Sequence, residues 1–137
     1  MKVFLDANIL FSASSVTSVT RKLLMAVLCN GQAVTGSHAW EEALRNIRRK
    51  RPENLPNLHD LKAQVSITYA FTTFSESSSL PDEDKPILGG AIAAGCTHLW
   101  TSDKRHFVSL YGKRIQGVSI VSSVMLADEI MERGGKL

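Results

Sequence analysis

The sequence predicts an α/β fold with a mostly parallel central sheet. Short apolar segments typical of strands alternate along the chain with longer segments of helical periodicity, and this alternation indicates a parallel sheet covered by helices. Hydrophobic residues make up 44% of the chain and charged residues 21%, an ordinary globular composition that excludes wholesale disorder. The length of 137 residues suits about one domain, so we expect residues 1–137 to form a single domain.

The N-terminal part begins with a strand and a helix. Residues 2–5 predict a short buried strand, whereas residues 6–18 are mostly polar and small and are assigned no regular element. Apolar residues then recur at helical spacing over residues 19–27. Gly31 stands where a glycine commonly follows a helix, so we expect this helix to end there.

The remaining elements continue the alternation. Ser37 is expected to cap a second helix, whose apolar stripe includes Trp40 and which Pro52 ends. Trp40 and Trp100 lie in apolar patterns and are expected in the core. The other predicted elements are a strand at residues 32–35, a short helix after Pro56, an extended segment at 66–74, a helix at 86–95, strands at 97–101 and 118–121, and a helix at 124–133.

The basic residues are concentrated in one short run. The formal net charge is +3, but the chain outside this run carries an excess of acids. Such a run suits a polyanion such as a nucleic acid, and it is also typical of a solvated helix face. Its members are Arg45, Arg48, Arg49, Lys50 and Arg51.

Cysteine usage and hydropathy bear on the compartment. Cys29 and Cys96 are far apart and form no CxxC pair, so neither a disulfide framework nor a zinc site is expected, and a reducing cytoplasm is favoured. No stretch approaches the roughly 20 apolar residues that span a bilayer, so we expect no membrane association. The apolar run at residues 2–5 is also too short for a signal peptide.

Acidic residues follow the predicted strands or begin the predicted helices. Because the carboxyl ends of parallel strands meet at one sheet edge, several of these acids are expected to converge. A carboxylate cluster repels itself unless a cation binds in it, and oxygen ligands without paired Cys or His favour Mg²⁺ or Mn²⁺. Taken singly, each acid is also a favourable helix cap. The acids in question are Asp6, Glu41, Glu42, Asp82, Glu83, Asp84 and Asp103.

Four segments resemble, in order, the acidic motifs of PIN-domain nucleases. They are LDANIL at residues 5–10, EALRNI at 42–47, DEDKPIL at 82–88 and TSD at 101–103. The resemblance covers nearly the whole chain and leaves residues 52–80 unmatched. One departure is Ser102, where many members of the family have glycine.

The resemblance implies a three-layer α/β/α fold and a metal-dependent ribonuclease similar to the VapC toxins of toxin–antitoxin pairs. Carried over by motif, the catalytic and metal-binding acids are Asp6, Glu42, Asp84 and Asp103, with Mg²⁺ or Mn²⁺ as cofactor. Asn8 and Thr101 would support the carboxylates, and the basic run would bind the nucleic-acid backbone. The expected partners are RNA, a cognate antitoxin and a second copy of the chain.

Two choices of ligand stay open on the residues alone. The helical periodicity places both Glu41 and Glu42 on the polar side of their helix, and the motif favours Glu42. Asp82 competes with Asp84, and the motif spacing favours Asp84. The four histidines show no metal spacing and are expected at the surface or at caps; they are His38, His59, His98 and His106.

Other functions fit the sequence less well. A phosphoryl-accepting signalling domain usually carries an acidic pair after the first strand, and Asp6 has no acidic neighbour. An aspartate-nucleophile phosphatase would need an acid at position 8, which is Asn8. The alternative that the sequence leaves open is a non-catalytic RNA-binding or partner-binding module with the same fold.

Overall fold

The computed structural model describes residues 1–69, 85–105, 107 and 109–137. Helices and strands alternate along this part of the chain, as the sequence predicts. The strands are β1 (Lys2–Leu5), β2 (Gln32–Gly36), β3 (Val65–Thr68), β4 (His98–Trp100), β5 (Arg114–Ile115) and β6 (Val118–Val121). The helices are α1 (Ala7–Ala13), α2 (Val19–Asn30), α3 (Ser37–Lys50), α4 (Leu55–Leu61), α5 (Lys85–Ala93) and α6 (Ser123–Glu132), with a 3₁₀ turn at Pro52–Asn54.

The strands form one sheet in the order β3-β2-β1-β4-β6-β5. All neighbouring pairs are parallel except β5 and β6, which confirms the predicted mostly parallel sheet. The central strands β1 and β4 are buried along nearly their whole length, as expected for strands covered on both faces. The buried apolar residues of the described part form one contiguous core.

Helices cover both faces of this sheet. The connections from β1 to β2 and from β2 to β3 run in one direction, and the connection from β3 to β4 runs back. Because such connections are right-handed, α1 to α4 lie on one face and α5 lies on the other. The last helix, α6, packs beside α2. The three-layer PIN-like fold is therefore confirmed. In the residues that the structure describes, no helix is long and apolar enough to cross a membrane.

The structure corrects the prediction for residues 6–18, which were assigned no regular element. Residues Ala7–Ala13 form α1, which buries Ile9, Leu10 and Ala13. Asp6 is the N-cap of this helix. A helix of seven residues is marginal in isolation, so α1 depends on its cap and on packing that the local pattern does not show.

Three smaller predictions are also corrected. Gly36, not Ser37, is the N-cap of α3, and Ser37 is the first helical residue. His98 is buried rather than at the surface, with its Nε2 2.7 Å from Glu129 Oε2. The short antiparallel strand β5 was not predicted. Trp40 and Trp100 are both in the core, as predicted, and the part of the extended prediction beyond residue 69 lies outside the described residues.

Candidate active site

The candidate site lies where the order of the strands reverses. The chain moves from β1 outward to β2 and β3 and then returns to the other side of β1 as β4. In open α/β sheets this reversal opens a crevice at the carboxyl ends of the two central strands, where ligands commonly bind. Asp6 directly follows β1 and Thr101 directly follows β4. The Asp6 backbone N–H donates to the Trp100 carbonyl at 3.1 Å, which extends the pairing of the two strands into the site.

The Asp6 carboxylate is buried and held in a fixed orientation. Its side chain is 6% exposed. Oδ1 accepts a hydrogen bond from the Ala7 backbone N–H at 2.6 Å, and Oδ2 accepts one from the Thr101 hydroxyl at 2.7 Å. Because each carboxylate oxygen has its own donor, these two hydrogen bonds fix the direction in which Asp6 presents its charge.

Thr101 connects Asp6 to Asp103. Its side chain is fully buried, and its hydroxyl donates to Asp6 Oδ2 while accepting the Asp103 backbone N–H at 3.1 Å. One hydroxyl therefore fixes both the first acid and the turn that carries the last one. Asn8 supports the same turn, because its Oδ1 accepts the Ser102 backbone N–H at 3.3 Å.

Asp103 is half-buried at the beginning of a tight turn. Its Oδ1 accepts the Arg105 backbone N–H at 2.9 Å. On the other side of the turn, the Tyr111 hydroxyl lies 3.2 Å from the Thr101 carbonyl and 3.0 Å from the Asp103 carbonyl, and it donates to them. The turn between these two residues is thus held from both sides.

Burial and the nearby carboxylates both favour the protonated form of the Tyr111 hydroxyl. Burial is the largest cause that raises the pKa of Tyr111 above its usual value, and the charge of Asp103 and, more weakly, that of Asp6 add to the rise. The side chain of Thr101 acts in the opposite direction and lowers the pKa of Tyr111. Tyr111 consequently stays protonated and able to donate. The sequence analysis missed Tyr111, because no motif marks a residue that returns to the site from a following loop.

Of the other predicted acids, only the two on α3 lie in the described residues. On α3, Glu42 is half-buried and Glu41 is exposed, which favours Glu42 as the residue that faces the protein. Asp84 and its competitor Asp82 lie outside the described residues. Within the described ranges, no three His, Cys, Asp or Glu side chains come close enough to hold a metal ion together. The structure therefore links Asp6 to the turn of Asp103 through Thr101, and in the described residues Glu42 forms no three-residue ligand group with them.

The donors at this edge fit a hard divalent cation. They are carboxylate, hydroxyl and amide oxygens, which are the ligands that Mg²⁺ and Mn²⁺ prefer. The softer donors His98 and Cys96 are at or near the beginning of β4, at the opposite edge of the sheet. Asp6 and Asp103 are thus the described residues best suited to hold such an ion.

The basic run lies on the exposed side of α3 and just beyond its end. All five basic residues are exposed, and none of them forms an ion pair with an acid of the described part. Lys50 Nζ lies 6.0 Å from the centre of the Phe11 ring, which connects this end of α3 to α1. Three of the five, Arg48, Arg49 and Lys50, occupy the last turn of α3, where cations also favour the helix dipole.

Two solved structures with a similar fold contain toxins of the VapC class. One is VapBC2 from Rickettsia felis bound to a DNA fragment from the promoter of the pair, with a TM-score of 0.63 and 17% identity over 89% of this chain and 98% of that chain. Another is VapC20 from Mycobacterium tuberculosis, a sarcin–ricin loop cleaving toxin, with a TM-score of 0.54 and 9% identity over 78% of this chain and 94% of that chain. The sequence matches no family model and no curated protein.

Proposed function

We propose that this protein is a metal-dependent endoribonuclease that hydrolyses RNA phosphodiester bonds, and that it acts as the toxin of a toxin–antitoxin pair. The proposal depends above all on one observation: the Thr101 hydroxyl binds the Asp6 carboxylate and the Asp103 backbone together at the strand reversal. The likeness in fold to VapC toxins supports the same chemistry. The similarity to a VapBC complex supports an antitoxin partner for this chain.

Each side chain has a distinct part in the proposed reaction. Asp6 and Asp103, with Glu42 and Asp84 from the matching motifs, hold one or two Mg²⁺ or Mn²⁺ ions. A bound divalent cation of this kind supplies water of lowered pKa and offsets charge on the phosphate. Thr101 fixes the orientation of Asp6 through its hydrogen bond, and Asn8 and Tyr111 hold the turn of Asp103. The basic run binds the phosphate backbone, which gives affinity without sequence preference.

RNA cleavage with matched aspartate variants tests the nuclease function. We expect wild-type protein to cleave single-stranded or looped RNA in Mn²⁺ or Mg²⁺ and to lose this activity in excess chelator. Asp103→Asn should lower the rate at least about 100-fold, because the loss of a ligand should exceed the 10–100-fold effect of outer-shell changes. Asp128→Asn, which neutralises an exposed aspartate on α6, is the control and should retain the wild-type rate.

Three results would contradict the proposal. Equal cleavage by wild type and Asp103→Asn, or equal cleavage with and without chelator, would exclude this site or its metal. Tight RNA binding with no cleavage in either metal would favour the non-catalytic RNA-binding module instead.

A further inference from the structure

We propose that the open cavity beside Asp103 binds one unpaired nucleobase of the RNA, next to the phosphate at the candidate site. The inference rests on the proposed function and adds to it the part of the substrate that this chain recognises. The cavity has a volume of about 510 Å³, within the usual range of roughly 300–1,000 Å³ for ligand pockets.

The cavity shares its wall with the candidate site. Ser102 and Lys104, the two residues on either side of Asp103, line it, and so does Tyr111. Residues 122–125, which lead into the first turn of α6, complete the lining. A ligand in this cavity therefore contacts the same turn that Thr101, Asn8 and Tyr111 hold in place.

The chemistry of the lining fits a planar ring with polar edges. The Tyr111 hydroxyl is engaged with the carbonyls of Thr101 and Asp103, so the aromatic ring is what Tyr111 offers to the cavity. Val124 and Met125 add apolar surface, and the Val124 side chain is 70% exposed. Ser102, Ser122 and Ser123 also line the cavity. Proteins bind unpaired bases by stacking them on apolar and aromatic side chains and by contacting their edges.

The charge of Lys104 selects a phosphorylated ligand over a neutral one. Lys104 is exposed and adjacent in sequence to Asp103, so its ammonium group can pair with a phosphate at the rim of the cavity. A base in the cavity and a phosphate at Asp103 are then parts of one strand. Because a base must leave its stack to enter such a cavity, the ligand is a single-stranded or looped RNA.

The indole resonance of Trp100 provides a direct test. Trp100 Nε1 donates to Ser123 Oγ in the cavity wall at 2.9 Å, and Trp40, the only other tryptophan, is buried on α3 and serves as an internal reference. We expect ribonucleoside 5′-monophosphates in chelator to shift the Trp100 indole N–H signal in a saturable way and to leave that of Trp40 unchanged. Ribose 5-phosphate and inorganic phosphate should shift neither.

Two valine variants distinguish this cavity from a neighbouring groove. Val124→Asp places a carboxylate at the mouth of the cavity and should weaken nucleotide binding about tenfold, within the range for loss of base stacking. Val19→Asp is the matched control, because Val19 is 82% exposed in the first turn of α2 and also follows a serine N-cap, Ser18. Val124 also lines the neighbouring groove between α2 and α6, whereas Val19 lines that groove and is not part of the cavity lining. Val19→Asp should therefore bind nucleotides like wild type.

The tests of nucleotide binding in the cavity and of RNA cleavage have separate outcomes. If none of the four common ribonucleoside 5′-monophosphates shifts the Trp100 indole signal, the cavity proposal is overturned even if the protein cleaves RNA. Equal weakening by Val124→Asp and Val19→Asp would also overturn it, since the nucleotide would then lie in the α2–α6 groove. A Trp100 shift that Val124→Asp weakens and Val19→Asp does not, without RNA cleavage in Mn²⁺, would support the cavity as a nucleotide site and contradict the nuclease function alone.

Discussion

Thr101 is the residue on which the geometry of the site depends most. Its hydroxyl has one proton, which it donates to Asp6 Oδ2, and it accepts the Asp103 backbone N–H. Both contacts are made by a fully buried side chain. Removing the hydroxyl would take one donor from the buried Asp6 carboxylate and the acceptor from the Asp103 backbone N–H, and the loss of such hydrogen bonds is costly.

We therefore expect Thr101→Val to lower the free energy of unfolding by about 1–3 kcal/mol and RNA cleavage by at least about tenfold. Thr101→Ser, which restores the hydroxyl, should recover most of the activity. Thr35→Val is the matched control: Thr35 is equally buried, lies on the neighbouring strand β2, and donates to the Leu5 carbonyl at 2.8 Å. Thermal unfolding and cleavage rates of the three variants test this expectation, and equal loss of activity in Thr101→Val and Thr35→Val would contradict it.

Asp6 shows that a helix cap and a candidate metal ligand can be the same residue. Its Oδ1 caps α1 through the Ala7 N–H, and its Oδ2 faces Thr101. Considered alone in the sequence, Asp6 could be interpreted as either one. An amide has one accepting oxygen where Asp6 uses two, so Asp6→Asn would lose either the cap or the acceptor of the Thr101 hydroxyl. A variant at Asp103 therefore gives the clearer measurement of the charge.

At the scale of secondary-structure elements, the sequence predicted the helices and strands whose apolar residues recur with a clear period. The pattern of α3 predicted its buried stripe of Trp40, Ala43, Leu44 and Ile47, and the run at residues 2–5 predicted β1. The pattern missed α1, whose seven residues include the polar Asn8 and Ser12. This helix is stabilised by its cap and by packing, which are tertiary effects.

The candidate site was predictable only as far as it follows the strands. Asp6 and Asp103 could be found because each comes directly or almost directly after a central strand of a parallel sheet. Tyr111 could not, because its contact depends on how the chain folds back after Asp103. The choice between Glu41 and Glu42 also needed the structure, since only packing shows which one is partly covered.

The basic run on α3 leads to a prediction at the same scale. Replacing Arg48, Arg49 and Arg51 with Gln should weaken RNA binding. The slope of log K against log salt should fall by roughly 0.7 for each phosphate group that the protein no longer neutralises. The control replaces Lys113, Arg114 and Lys136 with Gln. These residues are also exposed, and the change removes the same net charge.

Binding isotherms at several salt concentrations measure both slopes. A slope that falls only in the α3 variant would support direct phosphate contacts. Equal changes in the two variants would indicate a general effect of net charge, and an unchanged slope would favour a solvated helix face.

At the scale of the whole molecule, the sheet separates two kinds of polar side chain. Its carboxyl edge carries Asp6 and the turn of Asp103, which are candidate ligands. Its amino edge carries the buried His98, whose partner Glu129 comes from α6 and also contacts Arg133. The pair at the amino edge ties α6 to the sheet through contacts within the protein.

Placing two carboxylates at one edge has a consequence for the stability of the whole fold. Without metal, we expect Asp6 and Asp103 to repel each other, which would lower the free energy of unfolding. Asp103→Asn removes one of these charges, and the amide oxygen of Asn can still accept the Arg105 N–H. We therefore expect Asp103→Asn to melt at a higher temperature than wild type in chelator, with Asp128→Asn as the control that should melt close to wild type.

Metal should reverse this order of melting temperatures. An ion that binds only the folded state stabilises wild type by about 2.7 kcal/mol at a concentration roughly 100 times its Kd, and the assembled pair of acids exists only in the folded state. Mn²⁺ should thus raise the melting temperature of wild type and of Asp128→Asn, and leave Asp103→Asn nearly unchanged. Thermal melts of the three proteins in chelator and in Mn²⁺ measure both effects without any RNA. A wild type that gains nothing from Mn²⁺, together with an Asp103→Asn variant that melts lower in chelator, would show that Asp103 is a structural turn residue and that these acids do not form a metal site.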